Sequence, residues 1–444
     1  MFPLTRPYRQ AIATLALFVF TVVPTGLVVL TVWKVGRPSH LRAVEAEIGG
    51  RLGLQVTLEG VAYPRPGEVV YRGIVFRQEE PRRKGLTEIA RAARARLRRG
   101  DRELTLEVEG LRLQGESPKL AMAQVGALLQ RSAGPDYERV SLSAPSCALD
   151  LGSERLRYDL REVAGTFQAD RATPTVTVSS RVAATGSNTR CELTLVRDRK
   201  LEPVRTTVTL KTMEGLPLPA GVLDCFFDAA DWLGTSARVE GTLALHQTGA
   251  KDWEGDFQGD LLDVDLAALI GRRFPSHQMS GLARVAIKSA RWADRPGQGF
   301  GWVEARGELT AGQGSIGVAL LRSLGTEMKF RLSPKLARLD ARQEAVGFRA
   351  LGFGFTMTRD GELQFQGALG TEFAPDVVMA GATTPLAHAP QGAANVRGLI
   401  KTLFPSPSRD PGLMVPLTAE SRVLLCLPVP PDLAVKPGRG LEGN

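Results

Sequence analysis

Apolar residues fall on every second position through most of this chain. The first clear instance is "LQVTLEGVAYPRPGEVVYRGIVFRQ", residues 54–78. Leu54, Val56 and Leu58 alternate with Gln55, Thr57 and Glu59, and the pattern resumes from Val70 to Phe76 after the turn-like Pro64-Arg65-Pro66-Gly67. Alternation of period two on either side of a turn predicts paired β-strands with one dry and one wet face. "ELTLEVEGLRLQG" continues it, with Leu104, Leu106 and Val108 on one face and Thr105, Glu107 and Glu109 on the other. "TPTVTVSSRVA", "CELTLVRD", "VRTTVTLK", "ARVEGTLALHQTG", "DFQGDLLDVDL", "LARVAIKSARW" and "GWVEARGELTAG" repeat the manner. In "GFTMTRDGELQFQG", Asp360-Gly361 between alternating arms predicts a hairpin.

Three stretches depart from this period. Ser39 to Leu52 places Leu41, Val44, Ile48 and Leu52 three and four apart, with Pro38 before and Gly53 after, which predicts an amphipathic helix. "LPAGVLDCFFDAADWLG" (residues 218–234) and "SIGVALLRSLG" (residues 315–325) read as two further helical interruptions. Beyond about residue 380 the pattern decays into "SPSRDPG" and "LPVPPDLAVKPGRGLEGN", a Pro- and Gly-rich tail expected to be largely disordered.

Residues 11–33, "AIATLALFVFTVVPTGLVVLTVW", carry no charge over 23 positions. As a helix they would extend about 35 Å, enough for the ~30 Å hydrocarbon layer. No small-residue cleavage site follows, so the segment reads as an uncleaved anchor, with Trp33 and Lys34 at the interface. The division that results is a cytoplasmic tail (1–10), a transmembrane helix (11–33), a juxtamembrane helix (34–53), a first β region (54–215), a helical interruption (216–234), a second β region (235–380) and the tail (381–444). The larger part of the chain is placed beyond the membrane.

Composition changes this picture little. The 444 residues are 43% hydrophobic and 23% charged, which suits a folded chain, and the net charge is +9. Cys147, Cys191, Cys225 and Cys426 are far apart without a C-x-x-C, so thiolate metal binding is not expected, and no disulfide pairing is required. His40, His246, His277 and His388 are equally scattered. The stretch "RRKGLTEIARAARARLRRGDR" is the basic candidate. As a strand, Ala93, Ala95 and Leu97 face inward while Arg94, Arg96 and Arg98 form a wet face or touch a membrane surface. Nucleic acid is not the expected partner, because no aromatic residues interleave to stack bases. "GQGSIG" holds a G-x-G-x-x-G at Gly312, Gly314 and Gly317, but the strand before it alternates instead of being apolar throughout, so a structural turn is the reading. Asp256, Asp260, Asp263 and Asp265 lack the calcium-loop spacing, and Asp263 and Asp265 alternate with Leu262, Val264 and Leu266 as a wet face would. No catalytic, metal or cofactor motif is present in this reading.

One anchor, a short helix, then "LGLQVTLEGVAYPRPGEVVYRGIVF" resembles the opening of the AsmA-like proteins of double-membrane bacteria, the superfamily that includes the TamB-type proteins. "LREVAGTFQAD", "ARVEGTLALHQTGAKDWEGDFQGDLLDVDLAALI", "MSGLARVAIKSARW" and "VEARGELTAGQGSIGVALL" extend the likeness, which spans residues 10 to 370. The resemblance implies an elongated, curled β-sheet with a hydrophobic concave side, an inner-membrane location with the bulk of the chain periplasmic, and a role in lipid handling or outer-membrane integrity. The expected fold is therefore mainly β: one N-terminal transmembrane helix, then an elongated, largely antiparallel curled sheet or sandwich-like β-domains with a few short helices. Leu104, Leu106, Val108, Val208, Leu210, Leu243, Leu245, Leu262, Val264, Val285 and Ile287 are candidates to line an apolar groove. The expected partners are the membrane, a phospholipid or other acyl lipid, and an envelope protein, with no cofactor. The alternative is a structural or protein-interaction module in which the same strands close into ordinary cores. An exported enzyme, for which only the scattered histidines speak, is the third reading.

Overall fold

Alternation resolves into one continuous sheet whose strand order nearly follows the chain. The computed structural model describes residues 6–26, 33, 37–80, 85–115, 117–130, 137–151, 157–184, 187–225, 229–249, 252–274, 276–295, 299–337, 344–382, 384–404 and 427. β1 (Gln55–Thr57) and β2 (Gly60–Arg65) pair with β3 (Glu68–Glu80), and β3 pairs with β4 (Gly85–Arg99). β5 (Glu103–Glu109) and β6 (Leu111–Gln114) lie antiparallel to β4 and parallel to β7 (Arg139–Asp150). The Ser117–Gln130 helix lies in that crossover, since a parallel pair needs a long connection. β8 (Arg157–Gln168), β9 (Thr175–Ala184), β10 (Ser187–Asp198) and β11 (Arg205–Thr212) add on as antiparallel neighbours.

The short β12 (Leu218–Pro219) and β11 both pair with β13 (Arg238–Gln247), which leads to β14 (Trp253–Asp265). β15 (Met279–Ser280) leaves the main sheet, and β16 (Leu282–Arg295) and β17 (Gly299–Ala311) return to it. β18 (Gly314–Gly317) pairs with β15 and with β20 (Ala345–Phe348) in a separate three-stranded sheet, while β19 (Arg331–Leu332) stays with the main one. β21 (Ala350–Met357) pairs with β17, β22 (Glu362–Gly367) and β23 (Val377–Ala380). β24 (Pro385–His388) pairs with β23 and β19, and β25 (Ala394–Asn395) with β22. The fold is mainly β, a large curled mixed sheet with few helices.

The curl has a local cause. Inward-facing residues on β3, β4, β7 and β8, and across the break from β5 to β6, are three apart at one level, not two: Tyr71 and Ile74, Ala92 and Ala95, Val108 and Leu111, Ala144 and Cys147, Leu160 and Val163 all pack in one core. At that level sit Gly73 (φ 56°), Gly110 (φ 65°), Pro145 and Glu162 (φ 50°). Ala144 and Val163 are partners, as are Ser146 and Arg161, leaving Pro145 and Glu162 between two paired positions. Pro145 has no N–H to offer a ladder, so this gap suits it. A second transverse seam crosses β13 to β17, where Gly241 (φ 146°) faces Gly259 (φ 151°) and the register shifts between Ile287 and Ser289. Bulges bend strands and sharpen twist, so two aligned seams curl the sheet.

The Pro38–Leu52 helix and its stop at Gly53 (φ 67°) are as expected, and Leu41, Val44 and Ile48 pack on the first core. So is the hairpin at Asp360-Gly361, where Gly361 takes φ 76° and its N–H donates to the Thr358 carbonyl. The two helical interruptions need correction. The first divides into β12, a 3-10 turn (Ala220–Cys225) and a short helix (Ala229–Leu233). In the second, Ser315 and Ile316 belong to β18, because pairing on both edges holds them extended, and the helix runs Val318–Glu327.

The fold also runs past residue 380. β24, β25 and the Val396–Leu403 helix are ordered there, with the Asn395 side chain accepting from the Gly398 N–H at 2.8 Å and Val396, Ile400 and Leu403 buried. Those elements are short and separated by Pro and Gly, which hides their periodicity; residues 405–426 and 428–444 lie outside the described residues. At the other end, the Arg6–Leu17 helix starts within the expected tail and continues as a π-turn (Phe18–Val22). Residues 27–32 and 34–36 of the expected anchor lie outside the described residues, and none of the described helices is long and apolar enough to cross a membrane.

Candidate functional site

Cross-strand register converts alternation into continuous apolar rows. Starting in β3, Val69 faces Leu97, Leu97 faces Leu106, and Leu106 faces Leu142. The row continues through Gly165, Val178, Leu193 and Leu210 to Leu243. It ends through Phe257, Ala290, Ala305 and Met357 at Leu363 in β22. Fourteen strands therefore contribute to one unbroken row, a contour of about 60 Å at the ~4.8 Å strand spacing. Two residues along, a second row passes from Leu104 through Val140, Phe167, Val176, Leu195, Val208, Leu245 and Gly255 to Trp292 and Trp302.

The first row is buried only in part through its middle. Leu97, Leu106, Leu142, Val178, Leu193, Leu210, Leu243 and Phe257 are all half-buried. Gly165 and Ala290 of the row are buried, and helices complete the burial of some neighbouring positions. Leu129 of the Ser117–Gln130 helix is 1% exposed against Phe167, Val176 and Leu195. The Val318–Glu327 and Val396–Leu403 helices bring Leu320, Leu321, Ile400 and Leu403 into the C-terminal cores.

Of the residues singled out from the sequence, Leu106, Leu210 and Leu243 belong to the first row and Leu104, Val208 and Leu245 to the second. Val108 packs in the first core beyond them. Val285 faces Leu261 and Leu309, and Ile287 faces Gly259 and Gly307 on the same side. Leu262 is a correction. A bulge between Leu261 and Val264, with Asp263 at φ 54°, places Leu261 opposite Val285 and leaves Leu262 opposite Arg238. Val264 recovers the inward face, fully buried. Asp263 accepts from the Arg238 Nε at 2.9 Å. Leu97, Leu142, Val178, Leu193 and Phe257 are row members that alternation alone does not single out, because register is settled by turns and seams.

The other face is an ion-pair ladder. Arg96 reaches Glu68 at 3.0 Å and Glu107 at 3.6 Å, and Arg98 reaches Glu107 at 3.3 Å. Arg94 sits opposite Glu109. The strand assignment for residues 85–99 holds, but Ala93 is exposed and Ala92 buried, since the Gly73 seam shifts the facing by one. Arg284 with Asp260 (2.8 Å) and Arg291 with Glu304 (3.2 Å) continue the ladder. Trp33 carries the Arg37 guanidinium 3.5 Å above its ring; Lys34 lies outside the described residues.

At the rim where β13 ends, β14 begins and β16 ends, there is a cavity of about 230 Å³. Arg205, His246, Asp256, Arg291, Trp292 and Arg359 contribute to its wall. His246 sits between Thr207 Oγ1 (3.1 Å) and Asp256 Oδ2 (3.2 Å), and Arg205 Nε is buried without a hydrogen bond. His277 is elsewhere, buried, with Nε2 donating to the Thr402 carbonyl at 2.6 Å and burial holding its pKa below the ordinary value. Burial pushes the Cys147 thiol up to about 11 and raises that of Cys191. The three sites do not converge, and among the described residues no group of three or more His, Cys, Asp or Glu could hold a metal ion. The G-x-G-x-x-G glycines flank or form β18, and a Cβ at Gly314 would lie 2.2 Å from the Ser280 carbonyl oxygen. Close strand packing accounts for that glycine. No family model matches the chain, and no curated protein or solved structure is significantly similar to it.

Proposed function

We propose that this chain is a non-enzymatic protein of the cell envelope, AsmA-like in type, that holds acyl lipid along the apolar face of its sheet. Residues 11–33 anchor it in the inner membrane and the sheet lies on the periplasmic side. One observation carries the reading: an apolar row crosses fourteen strands and, apart from the buried Gly165, is half-buried from Val69 to Phe257, while at its C-terminal end Met357 and Leu363 pack with the Val396–Leu403 helix. In a two-layer core the centre of the sheet is the driest part. Here, among the described residues, Leu97 and Leu243 of the row join none of the buried clusters. Each CH₂ moved from water onto such a surface is favoured by about 0.8 kcal/mol, so an acyl chain needs no specific polar partner to be retained.

The test uses the full chain in bacterial membranes with a photoreactive phenylalanine analogue at Leu243, and at Asp260 on the wet face as a control. Lipid adducts at Leu243 and none at Asp260 are expected. Protein adducts alone at Leu243, or no adduct, would overturn lipid handling; protein adducts would point to the interaction module instead.

A further inference from the structure

We infer that the rim cavity is a binding site for a phosphoryl anion, either the phosphate of a lipid headgroup or that of a soluble phosphoester. For the lipid case the inference rests on the groove proposed above. Position is the first argument. The second apolar row passes from Leu245 through Gly255 to Trp292 and Trp302, and Gly255 and Trp292 are also walls of the cavity. A Cβ at Gly255 would lie 2.2 Å from Trp292 Cε2, so the indole rests on the β14 backbone where a side chain would otherwise stand. Its ring divides apolar row from charged cavity, a boundary indole is suited to.

Charge is the second argument. Arg291 is engaged by Glu304 at 3.2 Å, the Asp256 carboxylate is engaged by His246 at 3.2 Å, and Glu254, the second carboxylate of the wall, is also engaged. That leaves Arg205, whose buried Nε donates no hydrogen bond, and Arg359, in the turn after β21, which has no ion pair among the described residues. A buried guanidinium N–H without an acceptor is costly unless a ligand supplies one. The planar fork of arginine matches two phosphate oxygens at once, and two such forks at one cavity favour a phosphoryl group over a carboxylate held by a single contact. A cavity of about 230 Å³ admits a phosphoester but not an acyl chain as well, and its charged wall belongs to the wet face, so a bound lipid would place its phosphate here and pass its chains over the strand ends to the row.

The full chain in non-ionic detergent would be titrated with inorganic phosphate, and in nanodiscs with phosphatidylglycerol against uncharged diacylglycerol. Trp292 supplies the signal, referenced to Trp292→Phe. Arg205→Gln and Arg359→Gln should each weaken binding about tenfold, the loss of one charge-assisted contact. Arg205→Lys and the turn variant Arg359→Gln keep the test valid if Arg205→Gln folds poorly. Saturation by inorganic phosphate alone supports a soluble phosphoester as ligand; preference for phosphatidylglycerol without a phosphate response supports the headgroup. Wild-type affinities in Arg359→Gln and Arg205→Lys, or equal binding of diacylglycerol, would overturn the site. Lipid adducts at Leu243 that persist in that case would leave the groove standing without it.

Discussion

Gly259→Ala should damage this protein far more than a surface strand substitution, because Gly259 is half of a seam that bends the sheet. Gly241 and Gly259 face each other on β13 and β14 at φ 146° and 151°, a region L side chains rarely adopt. A Cβ at Gly259 would lie 2.0 Å from the Glu240 carbonyl oxygen and 2.6 Å from Gly241 Cα. Those atoms are backbone of the adjacent strand, so relief requires the strands to separate by about 1 Å or the ladder to break. Forcing the backbone conformation costs roughly 1–3 kcal/mol. Overpacking against a rigid neighbour adds about another 1–3 kcal/mol. With an unfolding entropy of about 2.1 cal/mol/K per residue over 444 residues, each kcal/mol shifts Tm by about 1 °C, giving an expected loss of roughly 2–6 °C. Thermal unfolding of the full chain in detergent, followed by far-ultraviolet circular dichroism, measures it. Gly50→Ala serves as control: it lies in the Pro38–Leu52 helix with nothing within 4 Å of the added carbon and should stabilise by about 0.5–1 kcal/mol. Equal Tm values for Gly259→Ala and Gly50→Ala would refute the seam.

Two further predictions concern groups whose burial decides their chemistry. His277 is held neutral by burial, with a folded pKa below 6.5, so below about pH 6.5 the unfolded chain binds the proton that the native state refuses. Stability should therefore fall as pH drops from 6.5 toward the folded pKa, and His277→Gln should flatten the Tm profile in that window; an unchanged profile would refute the assignment. Cys147, with its thiol near 11, should resist iodoacetamide at pH 8 in the native protein and react in urea. Labelling of native Cys147 at the rate of a free thiol would contradict its burial.

How much of this was legible depended on the range of each signal. Period two along ten residues is enough to place strands, and Asp360-Gly361 or Gly53 specify their turn and stop through φ alone. Leu262 fails because alternation presumes an unbroken pleat, and the extra residue at Asp263 turns it out while restoring Val264. The Ser117–Gln130 helix did carry a signal: Met122, Val125 and Leu129 are three and four apart and pack on the sheet. Its neighbours on both sides alternate as strands, which masks so short a change of period. Glycine inside a strand pattern marks a bulge or close approach, so Gly73, Gly110, Gly241 and Gly259 were visible one by one. Their alignment across strands was not, since it depends on register among strands tens of residues apart in sequence.

Register is also what turns a common pattern into a candidate function. Any half-buried sheet alternates, and alternation by itself is equally good for a sandwich. The distinguishing feature is that Leu97, Leu106 and Leu142 meet on neighbouring strands, as do Leu193, Leu210 and Leu243, with Gly165 and Val178 joining the two runs. The separate three-stranded sheet does not cover them, for its Ile316 and Phe348 are committed to the C-terminal core. The Val396–Leu403 helix covers the C-terminal end of the face, the Leu129 cluster takes in the second row together with Val178 and Leu193 of the first, and Leu210 and Phe257 pack with the Ala220–Cys225 turn. Leu97 and Leu243 keep part of their surface open, apolar area that a partner would cover. A flexible chain without hydrogen-bonding demands is the occupant proposed for such a row, and the rim cavity, whose charged wall belongs to the wet face, would meet its head only over the strand ends.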